Sequence, residues 1–224
     1  MKAILNLFFG KQINAIRQKW NNEEKEKMVR ISALIPRYEL SSVHLQNAKL
    51  IANRSELLEL LPKESICAEI GVNEGEFSEE ILNITKPTKL YLIDAWNDSF
   101  FHNGKKAIVE EKFSNQMQYK KVELRVGLST DELPKFPDGY FDWVYLDTAH
   151  TYEITYAELS ILKTKIKPNG IILGHDYVIG NWADWFKYGV IEAVHEFCVK
   201  EGWEIIYLTN ETHQHRSFAI KKLV

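Results

Sequence analysis

Two short stretches of this chain concentrate ionisable side chains in a way that packing does not explain. One is Phe141-Asp142-Trp143-Val144-Tyr145-Leu146-Asp147-Thr148-Ala149-His150-Thr151-Tyr152-Glu153, and the other is Ile171-Ile172-Leu173-Gly174-His175-Asp176-Tyr177. Each begins as an apolar run of strand length. Asp147 and His150 follow the first run, and His175 and Asp176 follow the second. An apolar strand has no packing reason to end in so many ionisable groups, so these residues are candidates for a site. A third stretch, Ala68-Glu69-Ile70-Gly71-Val72-Asn73-Glu74-Gly75-Glu76-Phe77-Ser78, reads as a buried strand, a glycine turn and a helix start. A fourth, Leu90-Tyr91-Leu92-Ile93-Asp94-Ala95-Trp96, is a buried strand that ends in a carboxylate. A glycine turn lets backbone approach a ligand, and an acid after the next strand accepts hydrogen bonds from ribose hydroxyls. That pair is how an open α/β sheet holds an adenosine-containing cofactor.

These groups need elements to position them. The predicted strands are Cys67–Val72, Leu90–Ala95, Glu123–Val126, Trp143–Asp147, Ile171–Gly174, Glu204–Leu208 and Ser217–Lys221. The predicted helices are Glu76–Asn83, Lys105–Tyr119, Tyr152–Lys165 and Val190–Glu201. Asp138-Gly139 and Pro168-Asn169-Gly170 are turn signals before strands. Alternating strands and helices point to a mostly parallel sheet with helices on both faces. Ligands in such sheets sit beyond the carboxyl ends of the strands, which is where every motif above falls. The final strands are joined by Thr209–His215, short enough for a hairpin, so the last strand runs antiparallel to its neighbour. His213 and His215 read as surface residues of that hairpin, far from the site. Residues 1 to 60 read as a helical extension, with Leu45–Leu61 at helical spacing before Pro62, and residues 61 to 224 as the α/β domain.

Composition narrows the class. Lys and Arg number 28 against 31 Asp and Glu, a net charge of −3, which argues against a general nucleic-acid binder. Hydrophobic residues make up 45%, enough for a sizeable core. The 2 cysteines, Cys67 on a core strand and Cys198 on a late helix, read as buried free thiols, and a reducing cytoplasm fits them. No apolar run approaches the roughly 18 residues of a membrane span. Near the N-terminus, Ile4, Leu5, Phe8, Phe9, Ile13, Ile16 and Trp20 recur at helical spacing among Lys2, Lys11, Arg17 and Lys19. Such a basic amphipathic helix can touch a membrane surface, or it can cover its own domain or a second subunit in a homo-oligomer.

Glu69-x-Gly71-x-Asn73-x-Gly75 resembles the first motif of class I S-adenosylmethionine (SAM) dependent methyltransferases, E-x-G-x-G-x-G, with Asn73 in place of the middle glycine. The resemblance implies a Rossmann-like, seven-stranded, mostly parallel sheet with an antiparallel last strand. It also implies roles. Gly71, Asn73 and Gly75 would approach the amino-acid part of SAM. Glu69 would act through the loop or a water, and Ser78 would cap the following helix or contact the carboxylate. Asp94, with Ala95 beside it, would take the ribose hydroxyls, and Leu128 and Ser129 would meet adenine. Asp-x-x-His-x-Tyr at Asp147, His150 and Tyr152, followed by His175-Asp176-Tyr177, looks like the metal-dependent sugar and macrolide O-methyltransferases. That likeness implies Asp147, His175 and Asp176 as ligands of Mg²⁺ and His150 as general base. His175 stands where the group has a carboxylate, and a His/Asp/Asp set also suits Mn²⁺ or Zn²⁺.

The expected enzyme is therefore a SAM-dependent O-methyltransferase acting on a small molecule, with a sugar or glycan precursor as acceptor. Aromatic stretches at Trp96–His102 and Tyr177–Tyr188, with Trp182, Trp185 and Phe186, can wall such a pocket or simply pack locally. An NAD-linked oxidoreductase would need G-x-G-x-x-G after the first core strand, which the chain lacks. A non-catalytic scaffold of the same fold would need neither the intact loop nor the converging acids.

Overall fold

In a computed structural model of the chain, the described residues are 18–19, 22–97, 105–181, 186–212 and 214–223. The amphipathic pattern over Ile4–Trp20 lies almost wholly outside them. A helix α1 covers 22–34, and an extended segment leads to a short 3₁₀ turn at Ser42–His44. Then come β1 (Lys49–Ile51), α2 (Arg54–Glu59), β2 (Ile66–Ile70), α3 (Glu76–Thr85) and β3 (Lys89–Asp94). Next are α4 (Lys105–Lys112), α5 (Ser114–Gln118), β4 (Val122–Val126), α6 (Ser129–Glu132), β5 (Phe141–Leu146) and α7 (Tyr152–Lys165). The chain closes with β6 (Ile166–Gly174), β7 (Gly180–Asn181), β8 (Phe186–Lys187), α8 (Val190–Glu201), β9 (Trp203–Thr209) and β10 (Phe218–Lys222).

Apart from the small β7–β8 pair, the strands form one sheet in the order β1-β9-β10-β6-β5-β2-β3-β4. β10 is antiparallel to both β6 and β9, and the remaining pairs are parallel. This is the Rossmann-like sheet with an antiparallel last strand that the sequence implied. Near-continuous apolar runs in β2, β3 and β5 suit burial on both faces. Alternation along β5 divides them: Phe141, Val144 and Leu146 pack with α7 and α8 residues, whereas Trp143 and Tyr145 pack with α2, α3 and α4 residues. The polar tips of these aromatics are satisfied. Trp143 Nε1 donates to Ser65 Oγ (2.8 Å), and Tyr145 OH lies 2.9 Å from Ser217 Oγ.

The structure departs from expectation in the first sixty residues. The span Leu45–Leu61, expected to be one helix, contains β1, a turn and α2. β1 adds an eighth strand beside β9, so the sheet begins upstream of the expected boundary at residue 61. Asn53 divides the span, since its side chain accepts from Glu56 N–H (2.9 Å) and caps α2. Helix 105–119 is likewise two helices, interrupted at buried Phe113. β6 starts at Ile166, so Pro168-Asn169-Gly170 lies inside the strand rather than before it, beside a register shift against β5.

Chain order reverses between β2 and β5, which are adjacent and parallel. From β2 the chain winds outward through β3 and β4, then returns to β5 on the other side. The crevice at that reversal lies between the loops after β2 and β5. It is tight. Gly71 sits at φ +87°, and a Cβ there would lie 1.8 Å from the Asp147 carbonyl oxygen. Gly71→Ala therefore meets both a disfavoured backbone angle and a backbone clash. We expect it to lose about 2 kcal/mol or more of stability, read from urea midpoints. An unchanged midpoint would refute this close approach.

Candidate active site

The loops at the crevice line a cavity of about 600 Å³. Its walls include Glu69, Gly71, Asn73, Asp94, Ala95, Leu128, Ser129, Asp147 and His150, so most of the expected cofactor residues come together with part of the expected catalytic set. The loop after β2 is shaped by left-handed backbone. Gly71 has φ +87°, Asn73 +55° and Gly75 +73°. Asparagine tolerates that region better than most side chains, which explains why it can stand where the motif has glycine. Gly75 also carries no Cβ because one would lie 2.8 Å from the Phe113 ring.

Asp94 holds this loop from the neighbouring strand. Its Oδ2 accepts from the N–H groups of Val72 (2.8 Å) and Asn73 (3.0 Å), and its Oδ1 accepts from Trp96 N–H (2.9 Å). The acid expected to bind ribose thus also fixes the turn. Trp96 adds a second tie, donating Nε1–H to the Asn73 carbonyl (3.0 Å), and Lys105 Nζ donates to Asn73 Oδ1 (2.6 Å). Ser78 is fully buried and donates its hydroxyl to Glu69. It therefore neither caps α3, whose N-cap is Gly75 with no side-chain cap bond, nor faces the cavity.

At the other side of the cavity, Asp147, His150 and Asp176 offer ligand atoms all within 4.8 Å of one another. His150 Nδ1 lies 3.0 Å from Asp176 Oδ2. His175, expected in this set, lies outside it: its Nδ1 is 3.1 Å from Ser217 Oγ and its Nε2 is 3.9 Å from Asp176 Oδ1. His215 takes the place beside the acid, with Nδ1 2.5 Å from Asp176 Oδ1. The expectation that His215 sits far from the site is therefore wrong, because the β9–β10 connection folds back over the ends of β5 and β6. His213 lies outside the described residues. His150 and Asp176 both have φ +57°, uncommon for such residues and characteristic of positions held by their surroundings.

Burial alone would lower the His150 imidazole pKa, but the hydrogen bond and charge of Asp176 outweigh it and raise it above the ordinary value. Burial would raise the Asp176 carboxyl, yet His150, His175 and His215 together hold it below the usual range. Asp147 is raised by burial, and His175 and His150 oppose only part of the effect. Burial lowers His175, against the pull of Asp147 and Asp176.

Sequence reasoning missed several members of the site. Arg54, at the start of α2, lines the cavity. Glu158, fully buried on α7, accepts from Thr148 Oγ1 (3.0 Å) and bonds Ser129, so it ties the loop after β5 to the loop after β4. Burial pushes its carboxyl up to about 7. Its signal was an acid at a core-facing position of α7, next to buried Leu159 and Leu162. Arg54 and His215 had no local signal, since both are brought in by tertiary packing. Of the aromatic stretches, Trp96 closes against the cofactor loop, while Tyr177 turns inward, its OH 2.6 Å from His195 Nε2. Asp98–His102 within the first stretch, and Trp182 and Trp185 within the second, lie outside the described residues.

Residues 68–177 match the family model of a methyltransferase domain. Solved structures share the fold at low identity. The pyocyanin biosynthetic protein PhzM superposes with a TM-score of 0.58 at 14% identity, over 75% of this chain and 54% of that one. This chain therefore spans about half the length of that protein. A candidate rRNA methylase from Clostridium thermocellum gives 0.55 at 14% identity, over 76% and 95% of the two chains. A candidate methyltransferase from Streptococcus mutans in complex with S-adenosylhomocysteine (SAH) gives 0.53 at 14%, over 76% and 96%. No curated protein sequence matches the chain. Strand order and domain match together put a methyltransferase-like domain over residues 68–177, just under half of the chain, on a Rossmann-like fold. Among the described residues no helix is long and apolar enough to cross a membrane.

Glu69 makes the fold sensitive to pH. Burial raises its carboxyl from 4.5 to about 8, against the hydrogen bond from Ser78. The folded protein thus keeps a proton that the unfolded chain releases. Stability from this group is full below the unfolded value and falls as pH rises from 4.5 through about 8. Glu69→Gln removes that dependence. Its melting temperature relative to the native protein should rise between pH 6 and pH 9, and a constant difference would mean that Glu69 is ionised in the folded state.

Proposed function

We propose that this protein is a methyltransferase that moves the methyl group of SAM to a hydroxyl of a small molecule, with a sugar or glycan precursor as the acceptor class. The observation that carries this reading is the Asp147–His150–Asp176 cluster, of which Asp147 and His150 line the same cavity as Glu69, Gly71, Asn73 and Asp94. The net charge of −3 favours a small acceptor over RNA. When bound, SAM would supply an electrophilic methyl on a sulfonium: attack by an acceptor oxygen in line would form the O–C bond as the S–C bond breaks, with S-adenosylhomocysteine as the neutral leaving group. The protein's residues must then orient that oxygen and take its proton. His150 is suited to the second task. With Nδ1–H donated to Asp176, Nε2 is left to accept the hydroxyl proton. Asp176 fixes the ring and favours the imidazolium that forms.

The donor set also fits a divalent cation. Asp147 and Asp176 offer hard oxygens and His150 a nitrogen, a combination that suits Mn²⁺ or Zn²⁺ better than Mg²⁺. Such a cation would hold the acceptor oxygen and lower its hydroxyl pKa. One imidazole cannot serve both roles, because ligation through Nδ1 leaves a protonated Nε2. The compactness of the cluster favours this second reading of His150 as a ligand.

Titration with SAM and SAH, followed by a sugar-acceptor screen with and without EDTA, tests the proposal. His150→Gln should keep SAH affinity and lower kcat by about 100-fold or more, the usual loss for a general base. A full rate in that variant would exclude the base. If His150→Gln abolishes stoichiometric Mn²⁺ or Zn²⁺ uptake, the ligand role replaces it. Failure of the native protein to bind SAM or SAH would sink the methyltransferase activity itself.

A further inference from the structure

The cavity wall carries more acids than bases. Glu74, Glu76, Asp94 and Asp147 line it beside Glu69, whose carboxyl burial pushes up to about 8, and among the described lining residues Arg54 is the only arginine or lysine. An acidic wall suits the sulfonium and ammonium of SAM but repels its carboxylate. Ser78, which the sequence offered for that carboxylate, is fully buried and committed to Glu69. Arg54 is placed to act instead. Its backbone is anchored at the start of α2, where its N–H donates to Glu211 Oε1 (2.8 Å). Its guanidinium carbon lies 4.3 Å from the Phe77 ring centroid, which fixes one face of the group. Its charged neighbour on α3, Glu80, is 3.9 Å from Nη2, beyond hydrogen-bond reach, and the arginine side chain is 17% exposed. Among the described residues no acceptor takes a hydrogen bond from the guanidinium. This largely enclosed cation lines the cavity together with Glu69 and Asp147, and its charge acts on both carboxyls.

Resting on the methyltransferase reading, we infer that Arg54 binds the α-carboxylate of the cofactor's amino-acid end. A guanidinium matches a carboxylate through paired N–H donors, and the Phe77 ring orients that fork. Arg54 then fixes which way the methionyl chain runs, and with it the direction in which the methyl is presented to Asp147 and His150.

The test is a cycle measured by calorimetry on the full chain. The ligands are SAH and S-adenosyl-3-thiopropylamine, which lacks only the carboxylate. The proteins are native, Arg54→Met and Arg54→Lys. In the native protein, loss of the carboxylate should weaken binding by roughly 10- to 100-fold, the size of a hydrogen bond to a charged group. Arg54→Met should lose a similar factor for SAH and bind the carboxylate-free ligand as the native protein does. Arg54→Lys should lie between them for SAH only. Equal losses for both ligands, or native SAH affinity in Arg54→Met, would overturn the inference. So would native binding that is indifferent to the carboxylate, a result that needs no variant to fold. Native protein that binds neither ligand would overturn the methyltransferase reading instead, so the two failures are distinct.

Discussion

The site depends on how closely two neighbouring parallel strands end. β2 and β5 finish side by side, and the backbone hands over directly: Asp147 N–H donates to the Ile70 carbonyl (2.7 Å), while on the other flank Gly71 N–H donates to the Ile93 carbonyl of β3 (2.8 Å). Any side chain at Gly71 would occupy the space of the Asp147 carbonyl. Because the strands meet there without a Cβ between them, the loop after β2 opens on the same cavity as Asp147 and His150. Strand order alone would put both loops on the same edge. The missing Cβ brings them into contact.

Around that contact, buried polar groups are joined across elements distant in sequence. Ser217, at the start of the last strand, lies within hydrogen-bond distance of both Tyr145 and His175, and its N–H donates to Thr209 Oγ1 (2.7 Å). Thr209 in turn donates to Glu211, which also receives the Arg54 N–H. The β9–β10 connection is therefore a brace that links α2, β5 and β6 at the carboxyl edge of the sheet. Groups left unpaired in so dry a region would each be costly, so this connectivity keeps the edge in one arrangement. His215 belongs to the same brace and gives Asp176 a second imidazole partner.

The burial of Glu69 and Glu158 follows the same logic. Each sits under a loop of the cavity and is held by hydroxyls: Ser78 for the first, Thr148 and Ser129 for the second. Their carboxyls are raised because burial disfavours charge more than those hydroxyls stabilise it. The cavity is therefore less negatively charged near neutral pH than its residue types suggest.

Periodicity and turn chemistry determined much of this molecule locally. The apolar runs of β2, β3 and β5, the Glu69–Gly75 turn, Asp94, and the helices Tyr152–Lys165 and Val190–Glu201 are written in consecutive residues, so sequence alone specifies them. Asn73 was compatible with the turn because asparagine accepts left-handed backbone. Other features depend on chain segments meeting late. β1 becomes a strand only because the edge of β9 is free to pair with it, overriding helical spacing in Leu45–Leu61. Arg54 and His215 reach the site from opposite ends of the chain, and His175 turns from the acid cluster toward Ser217. Spacing along the chain encodes period and turn, whereas side chains that converge from separate elements are decided by packing, and only the tertiary structure contains that information.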